Sequence, residues 1–394
     1  MKINMNTTYC IYVDQENPDQ KTHTIISKSE TFRFTGAELT NAIITAGMPD
    51  VYLRKANSVS RKNQIKFKTY LMETFLKEVE IDSEYYLSFN HLQKKFLDST
   101  EVGAINYWIG MVFITLRAKK KYKYDYLVHL SMIKEFSHTI KLDSKVYITA
   151  NGRESSLSPD LVAVKAINKN DFKYGIFESK GYYKYSSVAM EHGWEQAKSV
   201  KYINSKEPSH NFVSMTETGG NCIRMIEKDP VSEDGEIDIN TELMFLYHFI
   251  PIVELVRELQ TDEVALLETQ QNIGVQTMSI DGDGKASIEV QFEQNTNKNN
   301  MLDHKQPSNT KINFTSGIFR NGQDSYKISI PSDIYNYIIT LLNKIDTIDR
   351  NKEFKNFIVE QISSEEISRL VSNNYMNQGM EVNYVDLNIE NHFM

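Results

Sequence analysis

Sulfur ligands are almost missing from this chain: Cys10 and Cys222 are its only cysteines among 394 residues, and they form no CxxC pair. That excludes a disulfide framework and a thiolate zinc site, and leaves free thiols as the expectation. The nine histidines fall without an HxH or HExxH pair, so an imidazole metal site lacks its pattern as well. Long apolar runs are absent. The longest, LMFLYHFIPIV at 243–253, is about half of a membrane span and predicts a buried helix. MKINMNTTYC lacks the apolar stretch and small-residue cleavage site of a secretory signal, so the expectation is a soluble protein of the cytoplasm with no membrane partner. Excess positive charge is missing too: the net charge of −8 excludes a chain-wide polyanion-binding surface, so any basic contact must be local. No repeat of 20–50 residues and no Pro-rich tract appears.

What is present is enough for two or three domains, because a single core seldom organises this length. Residues 1–95 mix strand-like pieces (TYCIYV, TFRFT) with a helical pattern in NQIKFKTYLMETFLKEV, which predicts an N-terminal accessory α/β region. From Ser99, TEVGAINYWIGMVFITLRAKK and then YLVHLSMIKEFSHTI carry helical spacing. KVYITA, DLVAVKA and YGIFES follow as strands, SVAMEHGWEQAKSVKYIN as a helix, and HNFVSMTE and CIRMIEK as strands. That order predicts an α/β domain over 96–230. Residues 231–394 predict a mixed α+β accessory domain: a helix at 241–260, strand-turn-strand patterns at TMSIDGDGKASIEVQF and INFTSGIFRNGQDSYKISI, and helices at 332–345 and 352–373. NTNKNNMLDHKQPSNTK reads as a surface loop, and Asn321-Gly322 as a type I′ turn.

The chemistry concentrates in LSPDLVAVKAINKNDFKYGIFESKG, residues 157–181. In a strand alternate side chains share a face, so Glu178 and Lys180 project to one side while Ser179 points away. If DLVAV pairs with YGIFE, Asp160 sits beside Glu178, and two carboxylates and an ammonium surround one point. Adjacent carboxylates repel unless they share a cation, and hard oxygen ligands suit Mg²⁺ or Mn²⁺. Such a metal polarises a phosphoryl oxygen and activates water, while the lysine neutralises developing charge. The expected reaction is phosphodiester hydrolysis.

Pro159-Asp160 followed by Glu178-Ser179-Lys180 resembles the signature of the PD-(D/E)xK nuclease superfamily. The resemblance covers 96–230 and implies a restriction-endonuclease-like core, a mixed central sheet flanked by helices. It makes Asp160 and Glu178 metal ligands, the Ser179 carbonyl a further metal contact and Lys180 the catalytic lysine. It also implies a glutamate on the preceding helix, for which Glu101 is the first choice and Glu135 the second, and a polar residue on the following helix, Gln196. The implied function is a magnesium-dependent endonuclease acting on DNA, with a role in bacterial antiphage defence or restriction and with a homodimer or defence-complex partner. A noncatalytic nucleic-acid-binding or structural subunit that keeps the fold is the rival expectation, and an enzyme acting on RNA is another.

For the phosphate track, the basic and aromatic run at 117–124 offers Lys119, Lys120 and Lys121, and Lys184, Lys198 and Lys201 add charge near the motif. Other patterns read more simply. Pro49-Asp50 lacks an ExK partner and predicts a turn, Asp281-Gly-Asp283-Gly-Lys285 lacks the ligands of a calcium loop, and TETGGN at 216–221 has no phosphate-loop spacing. Trp108 and Trp194 are expected to pack in the core, and His192 to lie at the surface.

Overall fold

The computed structural model describes residues 3–4, 6–16, 29–46, 61–131, 149–150, 153–154, 157–168, 171–230, 235–272, 314–321, 324–347, 351–376 and 385–386. Alternating apolar residues make β1 (Thr8–Gln15), with Tyr9, Ile11 and Val13 fully buried. β2 (Glu30–Thr35) passes straight into α1 (Gly36–Thr45) because the Thr35 hydroxyl accepts from the amide of Glu38 while Glu38 reaches back to the amide of Thr35. α2 (Arg61–Phe75), β3 (Leu76–Ile81), β4 (Glu84–Phe89) and the single turn α3 (His91–Lys94) lead to Asp98, which caps the long α4 (Ser99–Lys120).

Beyond it come β5 (Tyr126–His129), β6 (Thr149–Ala150), β7 (Arg153–Glu154), β8 (Leu161–Asn168), β9 (Asp171–Tyr182), α5 (Ser187–Lys198), β10 (Tyr202–Ile203), β11 (His210–Glu217), β12 (Arg224–Lys228) and β13 (Glu236–Ile237). The remainder is α6 (Thr241–Asn272), β14 (Phe314–Asn321), β15 (Asp324–Pro331), α7 (Ser332–Thr347), α8 (Asn351–Ile362), α9 (Glu365–Met376) and β16 (Val385–Asp386).

The fold is α/β, built on a large mixed sheet flanked by helices. Its strands run β3-β4-β1-β12-β11-β9-β8-β5, with β2 paired to β1 off this path. β9 is parallel to β11 and antiparallel to β8, and β12 is parallel to β1. The sheet therefore crosses the boundary expected at 95/96, and one hydrophobic cluster holds Tyr9, Phe34 and Leu87 together with Ile109, Phe113 and Phe177. Along β9 the two faces part by alternation. Phe177, Ser179 and Gly181 face α4, where an added Cβ at Gly181 would fall 1.8 Å from the Asn106 carbonyl oxygen. Tyr174 and Ile176 face the other way, into a cluster with Leu243, Phe245, Phe249 and Val253 of α6 and with Ile328 and Ile338. The buried helix expected at 243–253 is there. Among the described residues no helix is long and apolar enough to cross a membrane.

Several elements differ from the sequence reading. Tyr126–His129 is a strand rather than the start of a helix, because its apolar side chains pair with β8 at the sheet edge and that tertiary ladder outweighs helical spacing. Leu76–Ile81 likewise leaves the expected helix to pair with β4. α5 ends at Lys198, and the VKYIN that follows supplies the short β10. The expected 352–373 helix is two, α8 and α9, separated by Ser363-Ser364. β14 and β15 pair from Phe314 with Pro331 to Asn321 with Asp324, while the Asn321-Gly322 turn itself, the 281–289 pattern, the 295–311 loop, Pro49-Asp50 and Glu135 lie outside the described residues.

Candidate active site

The site begins with register. Antiparallel pairing sets Leu161 against Phe177, which carries Asp160, one residue before β8, opposite Glu178. The Asp160 amide donates to Glu178 Oε2 at 2.8 Å, and the Ser179 amide donates to Asp160 Oδ2 at 3.0 Å. Each acid is thus fixed by the other's strand. Pro159 immediately ahead has no N–H to donate and biases Ser158 toward extended backbone.

Lys180, two residues beyond Glu178, shares its face as alternation requires. Its Nζ donates to Glu178 Oε1 at 2.5 Å and to Gln196 Oε1 at 2.8 Å. The Gln196 amide group in turn donates to the Ser158 carbonyl at 2.8 Å, so α5 holds both the lysine and the turn before Asp160. α5 can come this close because residue 193 is glycine: a Cβ there would sit 2.9 Å from Lys180 Cε and 2.7 Å from Val213 Cγ2. Asp160, Glu178, Lys180 and Gln196, expected from sequence, are therefore one connected cluster.

Burial sets its electrostatics. Glu178 is 1 % exposed, while Lys180 keeps 17 % of its side chain accessible. Desolvation, reinforced by the nearby Asp160 carboxylate, pushes the Glu178 carboxyl up to about 8, and these two effects outweigh the ion pair with Lys180. Burial also holds the His129 imidazole below its ordinary value, opposed by Asp160. Tyr107 on α4 feels the same acids: burial and then Asp160 and Glu178 push its phenol up to about 12.

Asp160, Ser179 and Lys180 open onto a cleft of about 780 Å³, whose other walls include Lys94, Asp98, Gly103, Tyr107, Tyr182 and Tyr183. No family model, curated protein or solved structure matches this chain. The cleft and its cluster must be read from their own chemistry.

Glu101 is placed elsewhere in that chemistry. Its carboxylate accepts from the Asp98 amide at 2.9 Å, and its amide donates to Asp98 Oδ1 at 2.9 Å. It completes the capping box of α4, a use written in its position three residues after an N-cap aspartate. Among the described residues, no group of three or more His, Cys, Asp or Glu side chains gathers to hold a metal, so any ion here rests on two carboxylates and backbone or water oxygens.

The lysines proposed for a phosphate track also divide. Lys119 donates to Asn41 Oδ1 and Thr45 Oγ1, Lys120 pairs with Glu38, and Lys121 pairs with Glu30. These lysines close the C-terminal end of α4, where positive charge complements the helix dipole, roughly 18 Å along the helix from Tyr107. Lys198 is buried, paired with Glu195 at 2.9 Å and lying 4.0 Å over the Trp194 ring. Lys201 is half-buried, 5.5 Å over Tyr202. Lys184 alone of the six is exposed next to a cleft residue, Tyr183. Trp194 packs against the small cluster under α5, and His192 is exposed, as expected.

Sequence reasoning missed Tyr107, Lys94, Tyr182 and Tyr183. A signal was available for the first: Gly103 and Tyr107 lie four residues apart and therefore on one face of α4. Lys94 and the Tyr182-Tyr183 pair meet only through tertiary packing.

Proposed function

We propose that the chain is a metal-dependent nuclease that hydrolyses phosphodiester bonds, with DNA as the substrate implied by its resemblance to PD-(D/E)xK enzymes. The observation that carries this reading is the convergence of Asp160, Glu178 and Lys180, with Asp160 and Lys180 lining a cleft and Glu178 buried behind them. Lys180 keeps part of its side chain accessible beside the half-buried Asp160 and the buried Glu178, which supports a catalytic site over a noncatalytic module. The order of elements supports the same reading: α4, β5, β8, β9, α5, β11, with β5-β8-β9-β11 adjacent in the sheet. α4 packs on the Ser179 and Gly181 face and α5 on the Lys180 face, an arrangement consistent with a restriction-endonuclease-like core. A role in antiphage defence or restriction belongs to the proposal through the resemblance alone.

The donor set fits the chemistry of a hard divalent cation: Asp160 and Glu178 would supply carboxylate oxygens, and the Ser179 carbonyl would be a further contact. Glu178, held up to about 8 by burial and by Asp160, is the carboxyl such an ion would return to its charged form. When bound, Mg²⁺ or Mn²⁺ would polarise the phosphoryl oxygen and acidify a bound water.

The protein's own groups do the rest. Lys180 is held between Glu178 and Gln196, so its ammonium needs no reorganisation to meet the negative charge that builds on the phosphoryl oxygens. Gln196 is a positioning residue: it fixes the lysine and, through Ser158, the approach to Asp160. The Ser179 amide orients the Asp160 carboxylate.

Labelled duplex DNA, single-stranded DNA and RNA incubated with Mg²⁺ or Mn²⁺, and with EDTA as control, test the proposal. DNA strand scission that EDTA abolishes is the expected result. Lys180→Ala should lower the rate at least about 100-fold, the scale of removing one preorganised charge-stabilising donor, with the fold intact by circular dichroism. Full activity in that variant, or no turnover of any substrate across several metals, would overturn the reading.

A further inference from the structure

The cleft carries more than a phosphate site. Tyr107 and Tyr182, both on its wall, leave 39 % and 40 % of their surface exposed, and neither lies in a hydrophobic cluster of the core. On the same wall Lys94 lies 3.2 Å over the Tyr183 ring, and the Tyr183 hydroxyl is 3.1 Å from His91 Nδ1. That lysine is thereby held over a fixed aromatic base. Lys95 and Lys184, each exposed, are the chain neighbours of the lining residues Lys94 and Tyr183, and Phe96, 84 % exposed, adjoins the lining residue Leu97 in sequence. Of the two acids that line the cleft, Asp98 accepts from the Thr100 and Glu101 amides and is turned to the helix it caps, and Asp160 belongs to the cluster already described.

Resting on the nuclease reading, we infer that this cleft takes an unpaired nucleic-acid strand, its bases stacking on Tyr107 and Tyr182 and its backbone following Lys94 past Asp160 and Lys180. In a duplex the base faces are already covered by their neighbours, so two exposed tyrosine rings would gain nothing from it. A single strand presents a π-face at every base, whatever its sequence, together with a phosphate for each lysine. A volume of about 780 Å³ is room enough for a nucleotide step to enter the cleft. Gly103 adds room: a Cβ there would meet nothing within 4 Å, so the helix wall is open at that point.

Fluorescence anisotropy of a short labelled oligodeoxynucleotide, single-stranded or annealed to its complement, at equal salt in EDTA, reads binding apart from cleavage. The single strand should bind more tightly. Tyr107→Leu and Tyr182→Leu should each weaken it by at least about fivefold and leave duplex affinity within about twofold, whereas the Phe variants retain wild-type binding. Gly103→Leu, whose Cβ would meet nothing within 4 Å on a helix face that lines the cleft, should weaken single-strand binding at least about fivefold while thermal melting remains cooperative. Equal or tighter duplex binding, unchanged affinity in both Leu variants, or binding of neither form would overturn the inference. Cleavage separates it from the nuclease reading. Metal-dependent cutting of DNA without single-strand preference removes only this inference; tyrosine-dependent single-strand binding with no cleavage in any metal removes only the nuclease.

Discussion

Glu178 spends its burial on a state that water would not favour. Its carboxyl is held at about 8 against an ordinary 4.5, with desolvation as the main cause. Below 4.5 the folded and unfolded chains both hold the proton and the group costs nothing. Between 4.5 and 8 only the folded chain holds it, so stability falls as pH rises, and above 8 the penalty is complete. Glu178→Gln should therefore gain melting temperature over the wild type by an amount that grows from pH 5 to pH 8, while losing metal-dependent cleavage. An offset equal at both pH values would mean that burial of this acid is not the cause. Stability given up at one carboxyl beside a lysine is the pattern of a functional position.

At the scale of elements, the site depends on how closely two helices approach β9. α4 needs Gly181 and α5 needs Gly193, and the two contacts differ in kind. At Gly181 an added Cβ meets the α4 backbone, which cannot yield. At Gly193 it meets the ends of Val213 and Lys180, which can. Gly193→Ala should fold with a loss of about 1–3 kcal/mol, the usual cost of overpacking, and should displace Gln196 from Lys180. The expected kinetic result is a lower kcat with little change in KM, and a Gln196→Ala variant should show the same split. A Gly193→Ala enzyme with wild-type kcat would free Lys180 from its dependence on α5.

At the scale of the whole molecule, three histidines contribute to the response to acid, with His248 buried and His129 and His210 half-buried. His129, His210 and His248 are all held below their ordinary value with burial as the first cause, His248 most strongly. Above 6.5 these imidazoles are neutral in both states. As pH falls below 6.5 the unfolded chain takes up protons that the folded chain refuses, and stability is lost. His248→Gln should flatten the fall in melting temperature between pH 6.5 and 5, measured against the wild type in the same buffers; an unchanged slope would contradict this. Continuity of the sheet makes a second prediction. Residues 96–230 expressed alone would expose the β12 edge that β1 covers and lose Tyr9, Phe34 and Leu87 from their core, so their soluble yield should fall well below that of the full chain expressed in parallel.

How much could be read beforehand follows the range of the interactions. The pairing of Asp160 with Glu178 and the side that Lys180 takes are legible, because strand alternation and a short hairpin connect them, whereas Gln196 follows only from the resemblance. Glu101 was misplaced although its signal was local, since Asp98 three residues earlier marks a capping box. Residues 76–79 and 126–129 carry a helical pattern yet form strands, because each is held by a neighbour in the sheet and not by its own periodicity. The lysines at 119–121 looked like a phosphate track until Glu30, Glu38 and Asn41 were seen to meet them.

The sequence by itself determined the α/β class, the buried helix at 243–253 and the facing acids with their lysine, since periods of two and of 3.6 residues fix which side chains share a face. Tertiary structure alone decided that β1 joins β12 in one sheet, that Tyr107, Tyr182 and Lys94 wall the cleft, and that burial raises Glu178. Those outcomes depend on contacts between segments far apart in the chain and on the water they exclude, and no local pattern encodes either.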